Sequence, residues 1–339
     1  MESIFLEGVA HQKAGRLDEA EACYRRSLDW KPHLALSNLG AILRTTGRLD
    51  EAEDVLRRAI VLDPHAAGPH YSLGMVLLQL GRWTEGWAEY EARHAILTRP
   101  TAPFPEWRGE PLAGKRILVL AEQGLGDQIL WSRFMPLLAQ QAAEVRLAVA
   151  RPLVPLLAQL PVNVFNAQAF DDQPVDVWAS MGSIPRWLGA GPDDAPAPTL
   201  HASAPAGAPA GVGLMLQGGN RNPNPARVPT GGAARAIRGL ADFTPLDPEA
   251  SGARDFGETA ARIASLERVV SVDTSVAHLA GALGKPCLIL MSRPAVDWYA
   301  NWKDDRTPWY PSARLIRQRS PGDWAGVIGQ LAAALERPL

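Results

Sequence analysis

Cysteine is scarce: the 339 residues hold two, Cys23 and Cys287. Two thiols cannot staple a disulfide scaffold, and their separation suits no shared metal site. Both sit in apolar periodic contexts, as buried thiols of a reducing compartment do. No apolar run approaches the ~18 residues that a membrane-spanning helix needs. The opening MESIFLEGVAHQKAG lacks the basic segment and apolar core of a secretory signal, so a cytoplasmic location is expected. Charge of one sign is missing too. Lys and Arg number 34 against 36 Asp and Glu, for a net charge of −2 and no long basic block. That argues against nucleic acid as the main partner. No Asp-x-Asp turn occurs, so nothing marks a metal ion holding a diphosphate. The Asp pairs at 171–172, 193–194 and 304–305 stand in loop-like contexts. What is plentiful is tryptophan, 11 residues, several in polar-aromatic clusters suited to packing or to stacking on a sugar. The length exceeds one ordinary domain, so two or three folding units are expected.

The front of the chain repeats itself. GRLDEAEACYRRSLDWKPH begins at Gly15 and GRLDEAEDVLRRAIVLDPH at Gly47, and a third glycine, Gly81, opens GRWTEGWAEYEARH. Gly8, Gly40 and Gly74 precede these at a constant interval of seven residues. The pattern reads as helix-turn-helix units. Gly8, Gly40, Gly74, Ala20 and Ala52 let the helices approach, and Pro32 and Pro64 are expected to close the second helix of each unit. This resembles the tetratricopeptide repeat, three copies over residues 1–98. The resemblance implies an arc that binds a protein, with a ligand face that includes Lys13, Ser37, Asn38, Arg44, Tyr71 and Gln79. Asn38 has two readings, an amide for an extended peptide or a contact between helices. The third unit, with Gly86 in place of alanine and with Trp83 and Trp87 added, departs as terminal repeats do.

Two junctions follow. RPTAPFPEWRGEPLAG (99–114) reads as an extended connector. The Pro-, Ala- and Gly-dense stretch 189–210 reads as a hinge or partly disordered linker between two lobes, 115–188 and 211–339. In the first lobe RILVL, VRLAVA, VNVF and VDVWA are short apolar runs alternating with helical segments. That is the mark of a parallel, doubly wound α/β sheet. Ligands of such sheets bind at the carboxyl ends of strands. There lies Gln123-Gly124-Leu125-Gly126-Asp127, with two glycines that permit unusual dihedrals or close approach of a ligand. Asp127 has two readings, an N-cap for the helix and a general base that takes a proton from an acceptor hydroxyl.

In the second lobe VGLMLQGGN runs from a strand into Gly218. Arg221 and Arg227 are the nearest cations after it. RVVSVDTSVAHLAGALGKPCLIL (268–290) reads strand, turn, helix, strand. Thr274 and Ser275 stand at a helix N-terminus, where free N–H groups and hydroxyls suit a phosphate. His278 lies on the same helix face. It has two readings, a donor to phosphate or ribose and a partly buried structural histidine.

EQGLGD, DFGETAARIASLERVVSVDTSVAHLAGALGKP, PWYPSARLIRQ and GDW together resemble glycosyltransferases of the heptosyltransferase-like GT-B type fused to tetratricopeptide repeats. The resemblance covers nearly the whole chain. It implies two Rossmann-like lobes and an inverting, metal-independent transfer without a cofactor. Asp127 would be the base. Gly124, Gly126, Gly218, Arg221, Arg227, Asp273, Thr274, Ser275 and His278 would hold the donor. The NRNPNPARVP stretch (220–229) departs from the basic segment usual there. Among such proteins are flagellin glycosyltransferases. They imply a flagellin acceptor and a nonulosonic acid such as pseudaminic or legionaminic acid, carried on CMP. Alternatives are ADP-heptose or UDP-hexosamine with another protein, and a non-catalytic adaptor.

Overall fold

A computed structural model describes residues 1–169, 173–208, 210–218, 227–293, 299 and 304–336. Met1–Thr98 makes one compact unit, and Arg99–Arg293 with Asp304–Leu339 makes another.

Among the described residues the first unit has six α-helices, α1 (Glu2–Lys13), α2 (Leu17–Arg26), α3 (Pro32–Thr46), α4 (Leu49–Leu62), α5 (Ala67–Gln79) and α6 (Trp83–Tyr90). They pack in sequence as three antiparallel pairs, the three repeats expected. The glycines work by what they lack. A Cβ on Gly8 would lie 2.9 Å from Tyr24 Cε1, on Gly40 2.4 Å from Leu56 Cγ, and on Gly74 2.6 Å from the Tyr90 backbone nitrogen. Each pair therefore closes to a separation that a side chain would forbid. Leu36, Leu39, Leu43, Val55, Leu56, Leu73 and Val76 fill the core between the pairs.

The prolines act otherwise than expected. Helix α2 ends at Arg26, and Pro32 is the first residue of α3, preceded by Lys31 at φ 45°. Proline fits a first helical turn because its missing N–H has no partner there in any case. Pro64 lies in the turn after α4, which has already ended at Leu62.

The second unit holds two parallel sheets. In the first lobe β1 (Arg116–Leu120), α7 (Leu125–Ser132), α8 (Met135–Ala139), β2 (Glu144–Val149), α9 (Val154–Leu157), β3 (Asn163–Asn166), β4 (Val177–Ser180) and α10 (Ile184–Leu188) give strand order β3-β2-β1-β4. In the second lobe β5 (Val212–Met215), α11 (Gly231–Arg238), β6 (Phe243–Pro245), α12 (Pro248–Ser251), α13 (Phe256–Ser265), β7 (Arg268–Val272), α14 (Ser275–Ala282), β8 (Cys287–Met291), β9 (Ala313–Arg317) and α15 (Trp324–Leu335) give β6-β5-β7-β8-β9. Strands β7 and β8 are buried at every position, as strands covered on both faces must be. The fold is therefore a tetratricopeptide-like helical array followed by a two-lobed parallel α/β unit.

Both junctions are more ordered than their composition suggests. In 99–114 the Trp107 N–H donates to the Trp178 carbonyl (2.7 Å) and the Trp178 N–H to that of Pro105 (2.9 Å). The connector thus lies along the edge strand β4, with Trp107 and Leu112 buried. The stretch 189–210 is not a loose linker where it is described. The Thr199 and Leu200 N–H groups donate to the Ala282 carbonyl of the second lobe (2.8 and 3.0 Å). His201 exchanges two hydrogen bonds with Gln159 of the first. Backbone polar groups satisfied on both sides explain why a segment without hydrophobic periodicity is nonetheless held.

Candidate functional site

The site grows from one feature repeated in both lobes: a central strand ends, and a helix starts at its carboxyl end. In the first lobe the turn from β1 to α7 is sharp, and its cost falls on Gln123, which adopts φ 60°. A left-handed conformation costs a non-glycine residue about 1–2 kcal/mol. Gly124 is the N-cap, at an ordinary φ of −83°. The glycines of this loop are therefore not there for unusual dihedrals. A Cβ on Gly124 would lie 3.1 Å from Asp127 Oδ2, and one on Gly126 2.6 Å from His278 Cδ2. They are needed for close approach.

Asp127 is the third residue of α7 rather than its N-cap. Its Oδ2 accepts from the Gly124 N–H at 2.9 Å, tying the first turn back on itself. The carboxyl is half-buried. Burial, opposed by that hydrogen bond and reinforced by Asp273 and Glu122, pushes it up to about 6. The N-cap position itself belongs to Gly124, and Asp127 completes the first turn from the third position.

In the second lobe Thr274 is the N-cap of α14 but makes no capping bond. Its hydroxyl lies 3.2 Å from that of Ser271 instead. Thr274 and Ser275 are half-buried at the head of the helix. Arg227 reaches the same turn, where its Nη2 donates to Asp273 Oδ2 (2.8 Å) and to the Asp273 carbonyl (2.6 Å). The cation expected to meet a phosphate is thus anchored beside the helix start by the aspartate that precedes it. Gly218 is exposed, close to Val228. Arg221 lies outside the described residues.

Helices α7 and α14 pack on one another across the lobes. Within that contact Gly126 lies against the His278 ring. His278 is 7% exposed, and its Nδ1 lies 2.9 Å from the Tyr310 hydroxyl. Burial, with help from Arg133 and Arg227 and against Asp273, lowers it to about 4, so the ring is neutral near pH 7. The buried ring thus has a tyrosine hydroxyl as a partner. A neutral ring gives a phosphate no positive charge.

Three groups at the site were not singled out from the sequence. Glu122, buried at the end of β1, accepts from the Ser180 hydroxyl and from the Gly182 N–H (3.0 Å). Tyr310 holds His278. Arg133, 2% exposed at the end of α7, donates to the carbonyls of Leu130 (3.1 Å), Ala195 (3.4 Å) and Trp309 (3.0 Å). Its guanidinium lies 5.1 Å from each of the Trp309 and Tyr310 rings. Glu122 and Tyr310 stood inside the motifs EQGLGD and PWYP, whereas Arg133 had no local signal.

On the repeats, Lys13 is exposed and Ser37, Asn38, Arg44 and Tyr71 are half-buried. Gln79 is 4% exposed and is not a surface position. The Tyr24 hydroxyl donates to Gln12 Oε1 at 2.7 Å. Tyr71 stacks on Tyr90 with ring centroids 5.7 Å apart. No helix among the described residues is long and apolar enough to cross a membrane.

Residues 5–67 match the family described as tetratricopeptide repeat. Protein FlbA of Caulobacter vibrioides is 27% identical, over 78% of this chain and 54% of its own. The chain thus spans about half the length of the curated relative it matches. Similar solved structures include the iron-containing dodecameric glycosyltransferase TibC from enterotoxigenic E. coli H10407. It is 16% identical over 62% of this chain and 65% of that one, with a TM-score of 0.46. The E. coli ADP-heptose lipopolysaccharide heptosyltransferase II is 15% identical over 65% and 98%, TM-score 0.44. A family 9 glycosyl transferase from Veillonella parvula is 12% identical over 60% and 86%, TM-score 0.42. The chain carries a tetratricopeptide-repeat segment, extended by the third helix pair and followed by two parallel α/β lobes.

Proposed function

We propose that this protein is a protein O-glycosyltransferase: the repeats hold a protein acceptor and the two-lobed unit transfers a sugar to it from a nucleotide-sugar. The observation that carries the reading is the meeting of α7 and α14. It gathers a carboxyl raised to about 6, Asp127, and an uncapped helix N-terminus with two hydroxyls and an arginine, at one junction of the lobes.

In this mechanism Asp127 takes the proton of a Ser or Thr hydroxyl as that oxygen attacks the anomeric carbon. The bond from carbon to the nucleotide phosphate breaks, and the carbon inverts. The departing phosphate gathers negative charge. The N–H groups at the head of α14, with Thr274, Ser275 and Arg227, offset it. Gly124 keeps Asp127 aimed, and Gln123 sets the turn that brings it to the cleft. No residue here is assigned to a metal ion. By the resemblance of the sequence, the acceptor is flagellin and the donor a CMP-linked nonulosonic acid.

Thermal-shift titrations of the purified protein with CMP, ADP, UDP and GDP test the donor. A ligand that binds only the folded state stabilises by ~2.7 kcal/mol at a hundred times its dissociation constant. A selective shift with CMP supports a nonulosonic acid, and a shift with ADP or UDP moves the donor to heptose or hexosamine. Binding of flagellin with no nucleotide shift at all would favour a non-catalytic adaptor. Transfer to flagellin, followed by intact-protein mass, should disappear in Asp127→Asn; full activity in that variant removes Asp127 as base.

A further inference from the structure

At three positions the first repeat carries ligand-type side chains where the second is apolar. Glu7 and His11 of α1 and Cys23 of α2 correspond, at a 32-residue offset, to Leu39, Leu43 and Val55. Those three are core residues, no more than 4% exposed. The first repeat has therefore exchanged an apolar triangle for a carboxylate, an imidazole and a thiol.

The exchange is also a spatial cluster. The ligating atoms of Glu7, His11 and Cys23 all lie within 4.8 Å of one another. Glu7 and His11 are one helical turn apart, on one face of α1, with Oε1 and Nε2 separated by 3.6 Å. Cys23 reaches them because α1 and α2 cross closely at Gly8, where a Cβ would come 3.0 Å from Cys23 Cβ. Exposure falls across the cluster, from exposed Glu7 through half-buried His11 to buried Cys23. An ion thus has a way in and a floor to rest on.

We propose that Glu7, His11 and Cys23 form a binding site for a borderline-soft divalent cation, with Zn²⁺ the ion whose ligand preferences they match. One sulfur, one nitrogen and one carboxylate oxygen make a three-ligand set that leaves a fourth tetrahedral position to water. On binding, the Cys23 thiol gives its proton to solvent and the sulfur bonds to the metal. Nothing is oxidised or reduced. His11 binds through Nε2, so its ring proton moves to Nδ1. That nitrogen now accepts from Arg16 Nε at 2.8 Å, and Arg16 is exposed and free to swing away. Arg16 is therefore a competitor of the metal. The site is separate from the transferase chemistry proposed above and stands or falls without it.

The test uses the full-length, reduced, metal-stripped protein titrated with Co²⁺, whose tetrahedral thiolate complexes absorb strongly. One equivalent should give a thiolate-to-cobalt charge-transfer band that Zn²⁺ bleaches. Cys23→Ser should abolish the band, and Cys287→Ser, which lies in the other unit, should leave it unchanged. Glu7→Gln and His11→Gln should each weaken binding by roughly tenfold or more. Arg16→Ala should strengthen it. Circular dichroism confirms that each variant is folded, and Glu7 is exposed enough for its variant to fold in any event. Absence of the band, its survival in Cys23→Ser, or unchanged affinity in both the Glu7 and His11 variants would overturn the site.

Discussion

At the residue scale, Asp127 concentrates the chemistry. Its ordinary value is 3.8 and its folded value about 6, raised first by burial. For a raised carboxyl the favourable contribution is fully present below the unfolded value, where the group is protonated in both states. It is lost as pH rises through about 6 and the charge must form inside the protein. Asp127→Asn keeps an oxygen to accept from Gly124 and removes that charge. Its melting temperature should therefore exceed that of the parent at about pH 8 and match it at about pH 4. Transfer activity should move oppositely, climbing in the parent as pH passes about 6, where the base becomes available. A kcat/KM profile flat across that range would separate Asp127 from the proton transfer. Gly126 is the second residue to probe. Alanine there sets a carbon 2.6 Å from the buried His278 ring. Gly126→Ala should cost ~1–3 kcal/mol in urea unfolding, the usual penalty of overpacking. It should also weaken nucleotide binding, because the two helix starts must part.

At the scale of elements, the repeats were legible because each carries its own packing instructions. The GRLDEAE sequence places Arg48 and Glu51 at the head of α4, and Glu21 and Arg25 stand one repeat earlier. The four close into a ring of ion pairs, Arg25 and Arg48 each meeting Glu21 and Glu51. The next repeat builds the same ring from Glu53, Arg57, Arg82 and Glu85. Periodicity of this kind can be read off a sequence. The strand-turn-helix units of the lobes were legible for a similar reason: short apolar runs ending in glycine. The junctions were not, because 99–114 and 189–210 are ordered by backbone hydrogen bonds, which leave no pattern in side chains. Pro32 misled because proline suits a helix start as well as a stop. The Glu7, His11 and Cys23 cluster leaves no such trace, because its members stand on two helices and only the close packing of α1 on α2 brings the thiol to the carboxylate and the ring. Gly40 tests the packing account. A Cβ there meets Leu56 Cγ at 2.4 Å, and both residues are in the core. Gly40→Ala should destabilise by ~1–3 kcal/mol despite alanine's higher helix propensity, which taken alone favours the variant by ~1 kcal/mol. A variant more stable than the parent would mean that the pair is not closed at this point.

At the scale of the two-lobed unit, the question is what fixes one lobe against the other, since the proposed chemistry needs α7 and α14 in register. Helices α7 and α14 meet at Gly126 and His278, and the stretch before β5 is hydrogen-bonded to both lobes at Thr199, Leu200 and His201. Arg133 does more. It leaves the end of α7, donates to Ala195 in the junction and to Trp309 in the second lobe, and lies against the Trp309 and Tyr310 rings. Tyr310 meets His278, and His278 meets Gly126 at the start of the same helix α7. The path is a closed loop through both lobes. The cation is buried with carbonyl oxygens and aromatic faces around it, and burial lowers its affinity for its proton. Gly281 completes the fit, since a Cβ there would stand 2.3 Å from Tyr310 Cγ. Arg133→Met retains an apolar stem but leaves the Trp309 and Ala195 carbonyls without their donor. It should cost ~2–5 kcal/mol in urea unfolding, more than two neutral hydrogen bonds, because buried acceptors are then stranded. Tyr310→Phe keeps both rings and loses only the hydroxyl, so it should cost about 1 kcal/mol. The variants should couple. If Arg133 acts on His278 through Tyr310, the double variant loses less than the sum of the single losses. Strict additivity would mean that Arg133 holds the lobes by its carbonyl bonds alone, with Tyr310 and His278 a separate contact.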